Sequence, residues 1–171
     1  SAMLDLVDQQ LRKAWNEGMR ANGLDPATDM IPEWEAELQN IMLGELMHVR
    51  DFADAIQQAA QTDAADGTPK ASYPLLYSRA GTWANRYNDV VNQATMLTAA
   101  AGGKLMWVMG ATEEHCDTCA ALNGIVAYRA EWELARVYPQ RPPNAVLDCG
   151  GWKCQCRLEP TSERHTRNAF D

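Results

Sequence analysis

All five cysteines of this 171-residue chain fall between positions 116 and 156, as C-x2-C in "HCDTCAALNG" and as Cys149, Cys154 and Cys156 in "DCGGWKCQCR". Two thiol clusters with a strand and a short helix between them bind the end of the chain to an earlier part, whether through a metal or a crosslink. A chain of this length buries a sizeable core without crosslinks, so the cysteines are not there to rescue a tiny domain. Their odd number does not suit a secreted disulfide framework, which works in pairs. A reducing compartment is the better expectation.

The residues before the cysteines read as helices. Leu4, Val7, Leu11, Ala14, Trp15 and Met19 form a helical stripe, and Asn22-Gly23 suits a helix C-terminus. After "LDPATDMIP", a second helix is expected from Pro32, a favourable first-turn residue, to about Thr62. It carries Trp34, Leu38, Ile41, Met42, Val49, Phe52 and Ile56 on one side, and Leu43, Leu46 and Met47 widen its apolar surface toward a second neighbour. A third helix, about Pro74 to Ala101, places Leu76, Ala80, Trp83, Tyr87, Val90, Ala94 and Leu97 at heptad-like spacing, which reads as bundle core. Gly102-Gly103 stops it.

From there the texture changes to short elements. "KLMWVMG" and "GIVAYR" read as strands, "AEWELARV" as a short helix, "YPQRPPNAVLDCGG" as an irregular connection and "KCQCRLEPT" as a closing strand. The expected fold class is α+β, mainly α: a helical body (4–103), a small zinc-stapled α+β module with short strands (104–161) and a polar tail (162–171). There is no internal repeat.

The spacing of Cys116 and Cys119 lets two thiolates approach one ion from a tight turn, as in structural zinc knuckles. Any two of Cys149, Cys154 and Cys156 would complete a tetrahedral site, leaving one cysteine over. Cys154 and Cys156 point to the same face of an extended segment, and Cys149 reaches back through Gly150-Gly151. His115 is a sixth candidate, read as solvent-facing. A thioredoxin-like pair would need a repeating β/α pattern that this chain lacks. A catalytic zinc keeps one position open beside a general base. Glu113, Glu114 and His115 are near in sequence, yet enough thiolates are present to close the shell. No catalytic residue is therefore assigned, and a structural site is expected.

The segment from "WVMGATEEHCDTCAALNGIVAYRAEWELARVYPQRPPN" into "LDCGGWKCQCRLEP" resembles the phage head morphogenesis domain of Mu F-like minor head proteins. The marks are a Trp-containing strand, an acidic step into C-x2-C, "LNG" with a short strand, a Pro-rich connection and a final C-x-C-R strand. The likeness covers about a third of the chain, with a helical region ahead of it as the family implies. It maps the family's C-x2-C onto Cys116 and Cys119 and its C-x-C onto Cys154 and Cys156. Many relatives place a His shortly before the C-x-C; here Cys149 stands in that region, and thiolate and imidazole are both zinc ligands.

The resemblance implies a minor capsid component acting in head assembly or DNA packaging, in the virion or the bacterial host cytoplasm, with portal or capsid proteins as partners and self-association left open. Some relatives carry a further toxin or enzyme domain, which is not expected here. The opening Ser1-Ala2-Met3 reads as a cloning remnant, leaving room for an upstream segment. The alternative function is a zinc-dependent hydrolase or nuclease acting on nucleic acid. The net charge of −8 gives no general attraction to phosphate; DNA contact stays open only at the local strip of Arg157, Arg164 and Arg167. No apolar run approaches the roughly 18 residues of a membrane span, so no membrane association is expected.

Overall fold

In the computed structural model three long helices precede a small sheet flanked by two short helices. It describes residues 2–66, 73–111, 115–152 and 154–170, and the side chains of all of these but 2–3, 62–66 and 73–84. The long helices are α1 (Ala2–Ala21), α2 (Pro32–Asp66) and α3 (Tyr73–Thr98). Strand β1 (Lys104–Val108), helix α4 (Asp117–Leu122), strand β2 (Val126–Tyr128), helix α5 (Arg129–Ala135) and strand β3 (Arg157–Thr161) follow. The fold is α+β and mainly helical, as the sequence implies. No helix among the described residues is long and apolar enough to cross a membrane.

Helix α1 turns Leu11, Ala14, Trp15 and Met19 into a core with Leu38 and Ile41 of α2 and Val90 and Ala94 of α3. It ends where Asn22-Gly23 indicates. Gly23 adopts φ +76°, its N–H bonds to the Arg20 carbonyl at 2.9 Å, and the Leu24 N–H reaches the Met19 carbonyl at 3.2 Å. These are the two bonds of a Schellman motif. The Asn22 amide then donates to the Thr95 carbonyl (2.7 Å) and Thr98 Oγ1 (2.8 Å), pinning the end of α1 to α3. At Gly18 the two helices nearly touch, since an added Cβ would lie 2.5 Å from both the Ala94 Cβ and the Val91 carbonyl oxygen.

Pro32 opens α2, and Arg12 of α1 grips Glu35 through two nitrogen–oxygen contacts of 2.8 and 3.0 Å. Leu38, Ile41, Val49 and Phe52 are buried as expected. Leu43 and Met47, expected to meet a second neighbour, are instead 62% and 70% exposed, and Ile56 is 42% exposed. The apolar stripe of α2 is wider than the surface its neighbours offer. Of the heptad-like residues in α3, Leu76, Ala80 and Trp83 lie outside the described side chains. Val90 and Ala94 are fully buried, and Tyr87 and Leu97 pack at the margin of the same core.

The second half of α3 is buried nearly all round, because it lies between the helices on one side and the sheet on the other. Met96 and Ala99 belong to the core beneath the sheet. Buried hydroxyls on this stretch turn back on the helix, Thr95 Oγ1 to the Val91 carbonyl and Thr98 Oγ1 to the Ala94 carbonyl. The helix stops at Thr98 rather than Ala101, as the chain turns through Gly102 at φ +81°.

The sheet has the order β2-β1-β3 with both pairings antiparallel. Leu105 and Trp107 alternate inward along β1, opposite Ala127 of β2 and Leu158 of β3. Trp107 stacks on Trp132 of α5 with ring centroids 5.9 Å apart, and the Trp132 indole N–H is satisfied by the Leu105 carbonyl at 3.1 Å. Both outer edges are covered, as exposed strand edges invite unwanted pairing. Along β2, Val126 exchanges bonds with Thr166, N–H to Oγ1 at 3.0 Å and carbonyl to N–H at 2.8 Å. Along β3, Leu158 N–H bonds to Asn92 Oδ1 of α3 at 3.0 Å.

The tail beyond Thr161 is polar in composition but packs on the module. His165 stacks on Tyr128 and bonds Glu131 at 2.8 Å, and Phe170 meets Trp132 edge-on at 4.9 Å.

Candidate metal centre

The tight turn expected between Cys116 and Cys119 is the start of helix α4, which explains how the first two cysteines are placed. Cys116 caps it from an extended backbone conformation (φ −72°, ψ 156°), and its Sγ accepts the Cys119 N–H at 3.4 Å. The neighbouring Thr118 N–H donates to Asp148 Oδ2 at 3.0 Å; Thr118 Oγ1 bonds the same oxygen and accepts the Asp148 N–H at 3.2 Å. Exposed helix N–H groups need such acceptors. A carboxylate thirty residues away supplies one here, and in doing so sets Cys149 beside Cys119 with their sulfurs 3.9 Å apart. Bonds from the Thr118 hydroxyl and backbone hold the Asp148 carboxyl below its ordinary range.

The second cluster is positioned by α3 and the Pro-rich connection. Cys154 and Cys156 lie just ahead of β3, not within it. The ladder with β1 ends at Val108↔Arg157, and beyond it Gly110 still runs close against Gln155, where an added Cβ would lie 2.3 Å from the Gln155 Cβ. The Cys156 carbonyl accepts Gln140 Nε2 at 2.8 Å and Asn92 Nδ2 at 3.3 Å. Both of these amides are buried. Cys149 is turned toward Cys116 and Cys119 by Gly150 and Gly151, at φ +63° and +80°.

All five cysteines are free thiols and form two groups, Cys116 with Cys119 and Cys149, and Cys119 with Cys154 and Cys156. Within each group the sulfurs lie within 4.8 Å of one another, and Cys119 belongs to both. Cys119, Cys154 and Cys156 are buried, while Cys116 and Cys149 are half-buried. This cluster could hold a metal ion, as its donor set is made of thiols alone. His115 is in neither group, and Glu113 and Glu114 lie outside the described residues.

The thiols differ in acidity according to their surroundings. Burial, with the Cys116 thiol beside it, raises Cys119. The neighbouring Cys156 thiol, then burial, raises Cys154. The same Cys154 contact lowers Cys156, aided by the Gly110 backbone and outweighing burial. At Cys116 burial works upward, but hydrogen bonds from the backbone and thiols of Cys119 and Cys149 prevail and lower it. Burial keeps Cys149 raised despite a bond from the Gly151 backbone. The protein thus supplies the sulfur atoms with backbone donors, the usual support for thiolates on an ion.

Sequence reasoning found the five thiols and missed the residues that place them: Asn92, Gln140, Asp148 and Gly110. Asn92 alone left a trace, as an amide in a helix whose flanks are apolar. Comparison with protein-family models, curated proteins and solved structures finds nothing that matches this chain.

Proposed function

We propose that this chain is a phage or prophage minor head protein acting in head assembly or DNA packaging, in which a zinc ion held by cysteine thiolates staples the C-terminal module. The observation that carries the reading is the cysteine cluster itself, built from the same C-x2-C and C-x-C motifs on which the family resemblance rests. Zinc suits it because zinc takes thiolate ligands at about 2.3 Å in tetrahedral shells, whose sulfurs are then about 3.8 Å apart. The Cys119–Cys149 separation of 3.9 Å is close to that spacing. The donors are thiols, and among the described residues neither group contains a histidine or carboxylate to act on a bound water. That supports an assembly role over a hydrolase or nuclease. Portal and capsid proteins are the proposed partners.

Complementation of a phage lacking this gene product tests the reading. Cys119→Ser is expected to abolish head assembly, and Glu113→Gln, Glu114→Gln and His115→Ala together are expected to leave it nearly intact. Loss of infectivity in the triple variant, with metal content and melting temperature unchanged, would overturn the structural role in favour of catalysis.

A further inference from the structure

The five sulfur atoms do not form one tetrahedron. They form two triangles that meet at Cys119, and no four of them lie mutually within 4.8 Å. A single four-thiolate site would have to draw one sulfur out of its triangle toward the other, while the backbone that carries each is fixed. The backbone around Cys149 is held by the bond between Thr118 and its neighbour Asp148 and by the turn at Gly150 and Gly151. The segment of Cys154 and Cys156 is held by Asn92, Gln140 and the close approach of Gly110 to Gln155.

The geometry points to a cluster that takes two soft metal ions, one against Cys116, Cys119 and Cys149 and one against Cys119, Cys154 and Cys156, with the Cys119 sulfur bridging them. This rests on the reading of the cluster as a thiolate metal site and gives the fifth cysteine a role. Cys116 and Cys149 of the outer triangle are half-buried, whereas all three cysteines of the inner triangle are buried. Charge favours the pair of ions. Two divalent ions and five thiolates leave one net negative charge in the module core, whereas one ion with four thiolates leaves two, and uncompensated buried charge is costly. Each bound thiol gives up its proton to solvent as the ion enters.

The experiment is to load the full reduced chain with cadmium-113, remove unbound metal, count ions by native mass spectrometry and record proton–cadmium correlations. Two ions per chain are expected, each correlated with two cysteines of its own, and both correlated with the Cys119 β-protons. One ion per chain would overturn the bridged cluster while leaving a structural site standing; no ion at all would overturn both. Two ions without a shared cysteine would also overturn it. Cys119→Ser could fail to fold, so Cys154→Ser provides the second arm: it should bind one ion instead of two, still correlated with Cys116, Cys119 and Cys149. Two ions retained in that variant would contradict the assignment.

Discussion

The two cores of this molecule are built from different materials. Around Trp15, Met19, Leu38 and Val90, long helices bury apolar stripes that repeat along the sequence, and that burial is the main source of their order. Around Trp107 and Trp132, strands of three and five residues and helices of six and seven enclose Cys119, Cys154 and Cys156. Elements this short do not hold themselves together. Their order is borrowed: from α3, whose Met96 and Ala99 enter the core and whose Asn92 bonds β3, from the tail at Thr166 and Phe170, and from the sulfur cluster. The helical core should therefore respond to volume, and the module to whatever removes its ties.

Trp15→Ala tests the first half of that contrast. The side chain is fully buried among α1, α2 and α3, and its removal should cost about 3–5 kcal/mol, read as a lowered denaturation midpoint. Metal content of the surviving folded fraction should be unchanged. Coupled loss of metal would mean that the two cores are one cooperative unit.

Asn92→Ala should cost about 1–3 kcal/mol, as it strips the Leu158 N–H of its partner in a buried setting. It also removes one of the two amides on the Cys156 carbonyl. The effect should concentrate in the module: amide exchange should quicken along β3 and around Cys156 and leave α1 unaffected. Equal quickening in α1 would contradict the division drawn here.

The smallest effect concerns acid. Burial pushes the Glu131 carboxyl upward, but hydrogen bonds from the Tyr128 backbone and from His165 prevail and hold it below its ordinary range. A carboxyl lowered on folding stabilises fully above its unfolded range, and that contribution is lost as pH falls through the folded value. The side chain is 39% exposed, so solvent screening leaves well under about 1 kcal/mol at stake. Acidification through the carboxylate range should loosen the tail, seen as altered Trp132 fluorescence as Phe170 withdraws, and Glu131→Gln should remove most of that pH dependence. An unchanged acid transition in Glu131→Gln would place the sensitivity elsewhere.

The same division governs what was legible in the sequence. The end of α1 at Asn22-Gly23 and the start of α2 at Pro32 are local signals, and both hold. The strand around Trp107 also shows, as a short apolar run after Gly102-Gly103. Helix α4 was missed because its six residues give no periodicity and its caps come from the Cys116 sulfur and from Asp148, thirty residues on. The closing strand starts later than its sequence pattern suggests because its partner β1 ends at Val108, opposite Arg157. Leu43 and Met47 were placed against a neighbour because apolar pattern reports what a helix offers, not what packs on it. All five candidate ligands were legible by residue type, but their grouping around Cys119 is a property of the folded chain.

The most direct test is amide hydrogen exchange on the metal-loaded full chain before and after a strong chelator under reducing conditions. Apparent binding free energies of structural zinc sites in small peptides run to about 10–16 kcal/mol, so removal should have a large local effect. The account predicts that β1, β2, β3 and α4 lose most of their protection while α1 and the buried first half of α2 keep theirs. Unchanged protection in the module, or an equal loss throughout the chain, would contradict the claim that the cysteine cluster is a principal tie of this part of the molecule.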